Sequence, residues 1–272
     1  MMEISKIYKL CTGGLCEFMD SIGQDKIIIG LSGGIDSAVC AALCVNALGS
    51  QNVFGVMMPG PYSSSGSITD SEKLAANLGI ETQQISICDA FQSIQKELEG
   101  KFPQQGICAN EKSSENTQAR LRMTVLMSLS NKHGWMLANT GNKTEAMMGY
   151  STLYGDTAGA YAPLGGLYKR DVFALGRYIN SLELSKDVIP ENIFIKPPSA
   201  ELAPGQEDEK SLGISYDDLD EILIAHFENN VRLKDINTHI AYEDLSRICN
   251  TAKCYAFKRN MEPPYTAIGY EF

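Results

Sequence analysis

A chain of 272 residues can fold as one large α/β domain or two small ones, and 44% hydrophobic with 8% aromatic residues excludes a disordered or fibrous polymer. A formal net charge of −10 argues against wrapping nucleic acid, which needs clustered Lys and Arg. No apolar run approaches the length that spans a bilayer and no apolar leader opens the chain, so no membrane partner, a cytoplasmic setting and reduced thiols are expected.

Ile4, Ile7, Tyr8, Cys11, Leu15, Phe18, Met19 and Ile22 recur at helical spacing and predict an amphipathic first helix. Lys26 to Leu31 is a β-branched apolar run of the kind buried in a parallel sheet, followed by a Gly-rich turn and an Ala-rich helix from about Ser37 to Leu48. The alternation continues with a strand at Val53 to Met58, a helix at Ser71 to Leu78, a strand at Thr82 to Ile87 and a helix at Ala90 to Leu98. A loop rich in Gly, Gln, Asn and Ser is expected at 100–115, then a helix from about Asn116 to Asn131 and a strand at Trp135 to Ala138. Such alternation specifies a doubly wound, mainly parallel sheet covered on both faces.

Beyond Thr140 come glycine-rich polar loops, a helix at Asp171 to Leu182, a long mobile loop at 196–213, and helices at Tyr216 to Asn229 and Ile240 to Lys253. The cysteine pairs Cys11 and Cys16, Cys40 and Cys44, and Cys249 and Cys254 are four or five apart and read as small buried residues on helix faces. CxxC knuckles are missing and His133, His226 and His239 cluster with none of the pairs, so zinc is not expected.

The string Gly30-Leu31-Ser32-Gly33-Gly34-Ile35-Asp36-Ser37 lies between a buried strand and a helix. There, glycines turn backbone N–H groups toward a ligand and the helix N-terminus favours negative charge, so phosphate oxygens are the natural guests. The lysine of GxxxxGK[ST] is absent, and so is GxGxxG. An acidic residue inside a phosphate loop suits a bound cation, so Asp36 is expected to ligate magnesium. The bland alternative is a tight βα turn with Asp36 favoured by the helix dipole.

The full SGGxDS string resembles the PP-loop of ATP pyrophosphatases with the adenine nucleotide α-hydrolase-like fold. Downstream, Glu115 to Met123 (ENTQARLRM), Thr140 to Glu145 (TGNKTE), Gly149 to Asp156 (GYSTLYGD), Ala162 to Arg170 (APLGGLYKR), Pro198 to Leu202 (PSAEL) and Ser211 to Asp220 (SLGISYDDLD) resemble NAD synthetase. That resemblance implies amidation of deamido-NAD to NAD with ATP and ammonia, through an adenylate and with release of AMP and pyrophosphate. It places ATP on Gly30 to Ser37, Thr140, Lys169 and Ser199, magnesium on Asp36 and Glu145, and deamido-NAD on Arg120, Leu153, Ala160, Phe257 and Lys258.

Leu153, Ala160 and Phe257 depart from the lysine, aspartate and histidine common in ammonia-dependent members, and TLYGDTAGAYAP looks more like glutamine-dependent ones. Asp156 is expected to orient or deprotonate ammonium, with an Asx turn as its structural alternative. Residues 1–272 are expected to form a single synthetase domain with added N- and C-terminal helices and no glutaminase domain, working as a homodimer on free ammonia or on ammonia from a separate glutaminase. The rival readings are another PP-loop enzyme, tRNA-modifying or GMP synthetase-like, and a non-catalytic nucleotide sensor.

Overall fold

The computed structural model describes residues 2–101, 111–182 and 187–270, so most of the stretch expected as a loop at 100–115 lies outside the described residues. In chain order the elements are α1 (Ile4–Ser21), β1 (Ile27–Gly30), α2 (Ile35–Leu48), β2 (Val53–Met57), α3 (Ser65–Leu78), β3 (Glu81–Gln84), α4 (Cys88–Leu98), α5 (Glu111–His133) and β4 (Met136–Leu137). They continue with α6 (Lys143–Met148), α7 (Lys169–Leu182), α8 (Glu191–Ile195), α9 (Asp208–Leu212), α10 (Tyr216–Leu223), α11 (Tyr242–Cys254) and α12 (Ala256–Arg259).

The four strands run parallel in the order β3-β2-β1-β4, with Ile27 opposite both Val53 and Met136. Central β1 reads as an unbroken apolar run because both faces are covered: Ile27 and Ile29 join one core cluster, Ile28 the other. Each is fully buried and stabilises the fold by about 1.5–3 kcal/mol relative to exposure.

The larger cluster packs α1, α2 and α7 together, and α1 buries the expected stripe of Ile7, Cys11, Leu15 and Met19. The other face carries α4 and α5 over a smaller cluster of Ile28, Val56, Met58, Ile87, Leu126 and Leu137. Trp135 borders this thinner layer, its ring stacked on Phe54 at 3.7 Å between centroids.

Helix α5 begins at Glu111, inside the stretch expected as a loop, β3 ends at Gln84 and not Ile87, and α9 interrupts the long loop expected at 196–213; two further boundaries shift for local reasons. Helix α3 starts at Ser65, earlier than Ser71, because the Ser64 hydroxyl caps it by accepting the Ser67 N–H. The helix expected to Asn229 ends as α10 at Leu223 and passes into a π-turn over Ile224–Glu228. Cys11, Cys40, Cys44 and Cys249 are buried free thiols as expected, whereas Cys254 is exposed. Among the described residues no group of three or more metal-binding side chains occurs and no helix is long and apolar enough to cross a membrane.

Candidate active site

The carboxyl ends of β1, β2 and β4 open into one cavity of about 430 Å³. Open parallel sheets bind ligands at this edge, because the loops leaving the strands diverge there. Gly30 passes directly into the phosphate loop, which is held in shape before any ligand arrives. The Ser37 hydroxyl donates to Gly34 O at 3.1 Å and accepts the Ser32 N–H at 3.2 Å, while Ser32 Oγ accepts the Gly34 N–H at 3.2 Å. Gly33 takes φ +76°, and a Cβ there would lie 2.4 Å from Ser67 O, so the loop is pressed against the first turn of α3. Of the expected phosphate-loop residues, all but Gly33 line the cavity, joined by Thr140 and Ser199.

A charged triad stands beside the loop. Lys169 Nζ donates to Asp36 Oδ2 at 2.5 Å and to Glu145 Oε1 at 3.2 Å, with the lysine 1% exposed and each carboxylate side chain 19% exposed. Asn142 completes it by donating Nδ2–H to Asp36 Oδ1 at 2.8 Å and capping α6, whose capping box includes Glu145. Burial pushes the Glu145 carboxyl up to about 8; Lys169 pulls it down, and Asp36 and Asp208 push it up again. Burial works against the Lys169 charge, but Asp36 and Glu145 outweigh it and hold the ammonium protonated.

The frame behind Lys169 is a buried polar network. The Thr144 hydroxyl donates to Asp220 Oδ1 at 2.5 Å and accepts the Lys169 N–H at 2.8 Å, while Asp220 Oδ2 accepts the Arg170 N–H at 2.8 Å. Thr144 and Asp220 are both fully buried, so this network locks α6, α7 and α10 together and fixes the root of the Lys169 side chain.

Magnesium fits this donor set on chemical grounds. Two carboxylates already converge on a single positive charge, and the phosphate loop adjoins them. Hard oxygens from one or two carboxylates plus substrate phosphates are the usual magnesium shell.

Asp156, Lys258 and Glu262 also line the cavity. Asp156 accepts the Thr152 N–H, so its carboxylate does anchor a turn, and it also faces the cavity. Burial raises it to about 6, against the pull of that hydrogen bond and of Lys258 and Arg120. Burial likewise raises Glu262, to about 7, and Asp156 adds to the rise. Lys258 Nζ donates to Gly149 O at 2.8 Å and Ser151 O at 2.6 Å, tying the C-terminal helices to the loop before Asp156.

Arg120, Leu153, Ala160 and Phe257 do not line the cavity. Arg120 Nε instead donates to Leu153 O at 3.1 Å, Ala160 N–H pairs with Leu137 O at 2.8 Å, and the Phe257 ring is 53% exposed. Of the five residues expected at deamido-NAD, Lys258 alone is in the cavity lining.

A family description, NAD synthase, matches residues 7–262. The chain belongs to the NAD synthase family. Among its NAD synthase relatives, the glutamine-dependent NAD(+) synthetase of Thermotoga maritima is 46% identical over 231 residues, covering 85% of this chain but 39% of that protein. The chain thus spans about two-fifths of the length of that curated relative. The NH(3)-dependent NAD(+) synthetase of Wolinella succinogenes is 37% identical over 246 residues, covering 89% of this chain and 88% of that one. Among solved structures, an NMN synthetase from Francisella tularensis superposes with a TM-score of 0.79 at 29% identity, over 95% of this chain and 97% of that one.

Several residues of this NAD synthase cavity were not anticipated. Asn142 was marked by the N-x-x-E capping pattern it forms with Glu145. Asp208 accepts from the Tyr150 and Tyr216 hydroxyls at 3.0 and 3.2 Å, and Arg122 donates Nε–H to Met58 O at 3.0 Å. Both line the cavity, as does Glu262. An isolated carboxylate or guanidinium carries no local signature of such a position.

Proposed function

We propose that the chain amidates deamido-NAD to NAD, consuming ATP and ammonia through an adenylated intermediate and releasing AMP and pyrophosphate. The observation that carries this reading is one cavity lined by the phosphate loop, the Asp36–Lys169–Glu145 triad, Asp156 and Lys258 together. Adenylation turns the nicotinate carboxylate into an acyl group with a good leaving group, and the same cavity then admits the nitrogen nucleophile.

The backbone amides of residues 32–37 and the Ser32 and Ser37 hydroxyls hold the ATP phosphates, and the Lys169 ammonium neutralises charge as pyrophosphate departs. Asp36 and Glu145 would hold magnesium, which when bound supplies further charge neutralisation at the phosphates. Thr140 and Ser199, both in the cavity lining, orient the nucleotide. Asp156, as carboxylate, accepts a proton from ammonium so that free ammonia attacks the adenylate carbonyl; AMP leaves, the added nitrogen gives up one further proton to solvent, and the amide remains. Lys258, Arg120, Leu153, Ala160 and Phe257 bind the dinucleotide, with a second copy of the chain closing the site against the thin α4–α5 layer, where Met127 and Leu98 are exposed. Ammonia arrives free or from a separate glutaminase.

The likeness to an NMN synthetase makes the mononucleotide acid whose amide is NMN the second acceptor to offer. The test supplies the purified chain with ATP, magnesium and either acid, with ammonium or glutamine, and follows amide and AMP. AMP that forms equally well without any acid acceptor would refute the reading.

A further inference from the structure

The segment 196–207 walls the cavity through Pro197, Pro198, Ser199, Ala200 and Leu202; Gln118 holds it at Leu202 O (2.9 Å), and the Glu201 carboxylate fastens it to α3. Glu201 Oε1 accepts the Ser67 hydroxyl at 2.6 Å and the Ser64 hydroxyl at 2.9 Å, and Oε2 accepts the Ser64 backbone N–H at 3.1 Å. The carboxylate therefore caps the first turn of α3 from 134 residues away in sequence, where the helix dipole favours negative charge. Lys196 closes the clasp from the same segment: its Nζ donates to Ser67 Oγ at 2.6 Å and stands 3.9 Å from Glu201 Oε1.

Two features mark this clasp as more than a surface contact. Glu201 takes φ +48°, a left-handed conformation that a non-glycine residue holds only where its surroundings over-determine it. Ser67, 3% exposed, is shared: its hydroxyl bonds Glu201 while its carbonyl is the atom against which Gly33 of the phosphate loop is pressed. The segment is also internally braced, since Ser199 Oγ donates to Gln206 O at 2.6 Å and accepts the Glu201 N–H at 3.1 Å, and Leu202 N–H donates to Gln206 Oε1 at 2.9 Å. Releasing Glu201 loosens a braced unit that Gln118 and Lys196 still tether, and not a floppy tail.

We propose that Glu201 is a positioning residue, a latch that fastens 196–207 across the cavity onto the first turn of α3 and keeps water from the adenylate until ammonia reacts. The second half rests on the function proposed above. If the latch opens while the adenylate is present, water takes the place of ammonia. The acyl–phosphate link is hydrolysed, the nicotinate carboxylate is regenerated, AMP leaves, and ATP is consumed with no amide formed.

Hydrogen exchange and product ratios test the two halves separately, using the whole chain and the variants Glu201→Ala and Glu201→Gln. Without substrates, Glu201→Ala is expected to speed amide exchange across 199–207 and at Ser64 to Ile68 by on the order of tenfold, the change expected when charge-assisted hydrogen bonds are lost. Glu201→Gln, which keeps the shape and loses the charge, should fall between wild type and Ala. Exchange in β1, β2 and α2 should stay unchanged, which reports an intact fold.

With deamido-NAD, ATP, magnesium and limiting ammonium, wild type should release AMP and NAD in equal amounts and Glu201→Ala several-fold more AMP than NAD. Unchanged exchange across 199–207 in Glu201→Ala overturns the latch. Faster exchange with AMP and NAD still equal overturns its role against water. If wild type itself makes no NAD, the functional reading falls, and the exchange comparison still decides whether Glu201 fastens the segment.

Discussion

Replacing Lys169 by Met keeps the length of the side chain and removes its charge from between two carboxylates. The ammonium is 1% exposed and contacts Asp36 and Glu145 at 2.5 and 3.2 Å. Removing one partner of a buried ion pair costs about 3–5 kcal/mol. Because the two carboxylates keep 19% exposure, the lower end of that range, about 3 kcal/mol, is expected here. At about 2–4 °C per kcal/mol for a chain of this size, Tm should fall by about 6–12 °C.

The sign of the pH dependence follows from Glu145. Its folded pKa of about 8 is above the ordinary carboxylate value, so wild type loses stability as pH rises toward that point and no further beyond it. Without Lys169 the Glu145 pKa climbs higher still, and the variant keeps losing stability above pH 8, about where wild type levels off. The gap therefore widens between about pH 7 and 9, and magnesium, bringing positive charge to the same carboxylates, should raise Tm more in the variant than in wild type. Scanning calorimetry of both proteins across that range, with and without magnesium, reads all three effects. A Tm within about 2 °C of wild type at pH 8, or a gap that narrows as pH rises, would refute the reasoning.

Asp156→Asn should remove the acid limb of amidation: in wild type kcat/KM for ammonia rises as Asp156 ionises around its raised value of about 6, and in the variant that limb disappears. The same substitution removes a negative neighbour of Glu262, whose pKa should drop from about 7, a shift visible by NMR of labelled glutamate carboxyls. Gly33→Ala forces a Cβ to within 2.4 Å of Ser67 O at φ +76°, and a loss of about 2–4 kcal/mol by chemical denaturation with at least tenfold weaker ATP binding by calorimetry is expected. Thr144→Val strands a buried Asp220 oxygen and the Lys169 N–H; about 2–3 kcal/mol should be lost, and a variant as stable as wild type would show that the network does not carry the α6–α7 junction.

The parts of the fold that were legible are those whose pattern is both local and long. The β-branched run before Gly30, the stripe from Ile7 to Met19 on α1 and the glycine-bearing loop from Gly30 to Ser37 each carry a signal within a single element. Helix α6 has only six residues, too few for periodicity, and β4 only two, so both depended on their neighbours for definition. The start of α3 was masked because Ser64 stands among other serines that could equally cap a helix. In the cavity, Asp36, Glu145 and Lys169 were legible as residue types in motifs. Their pairing was not, because it joins the starts of α2, α6 and α7 through contacts up to 133 residues apart. Glu262 was silent for the same reason, and Glu201 was legible only as a letter of the PSAEL string: a lone carboxylate takes its meaning from what the fold puts opposite it.

The stacking of Trp135 on Phe54 has a practical consequence. It is the only tryptophan in the chain, and it reports from the thin side of the sheet, whereas the phosphate loop and the triad are framed by helices on the thick side. Its emission is thus a spectroscopic probe of α5 leaving the sheet. If that layer frays before the rest melts, fluorescence and far-ultraviolet circular dichroism will trace separate denaturation curves, and the molecule will announce by its own light that its two faces are separate cooperative units.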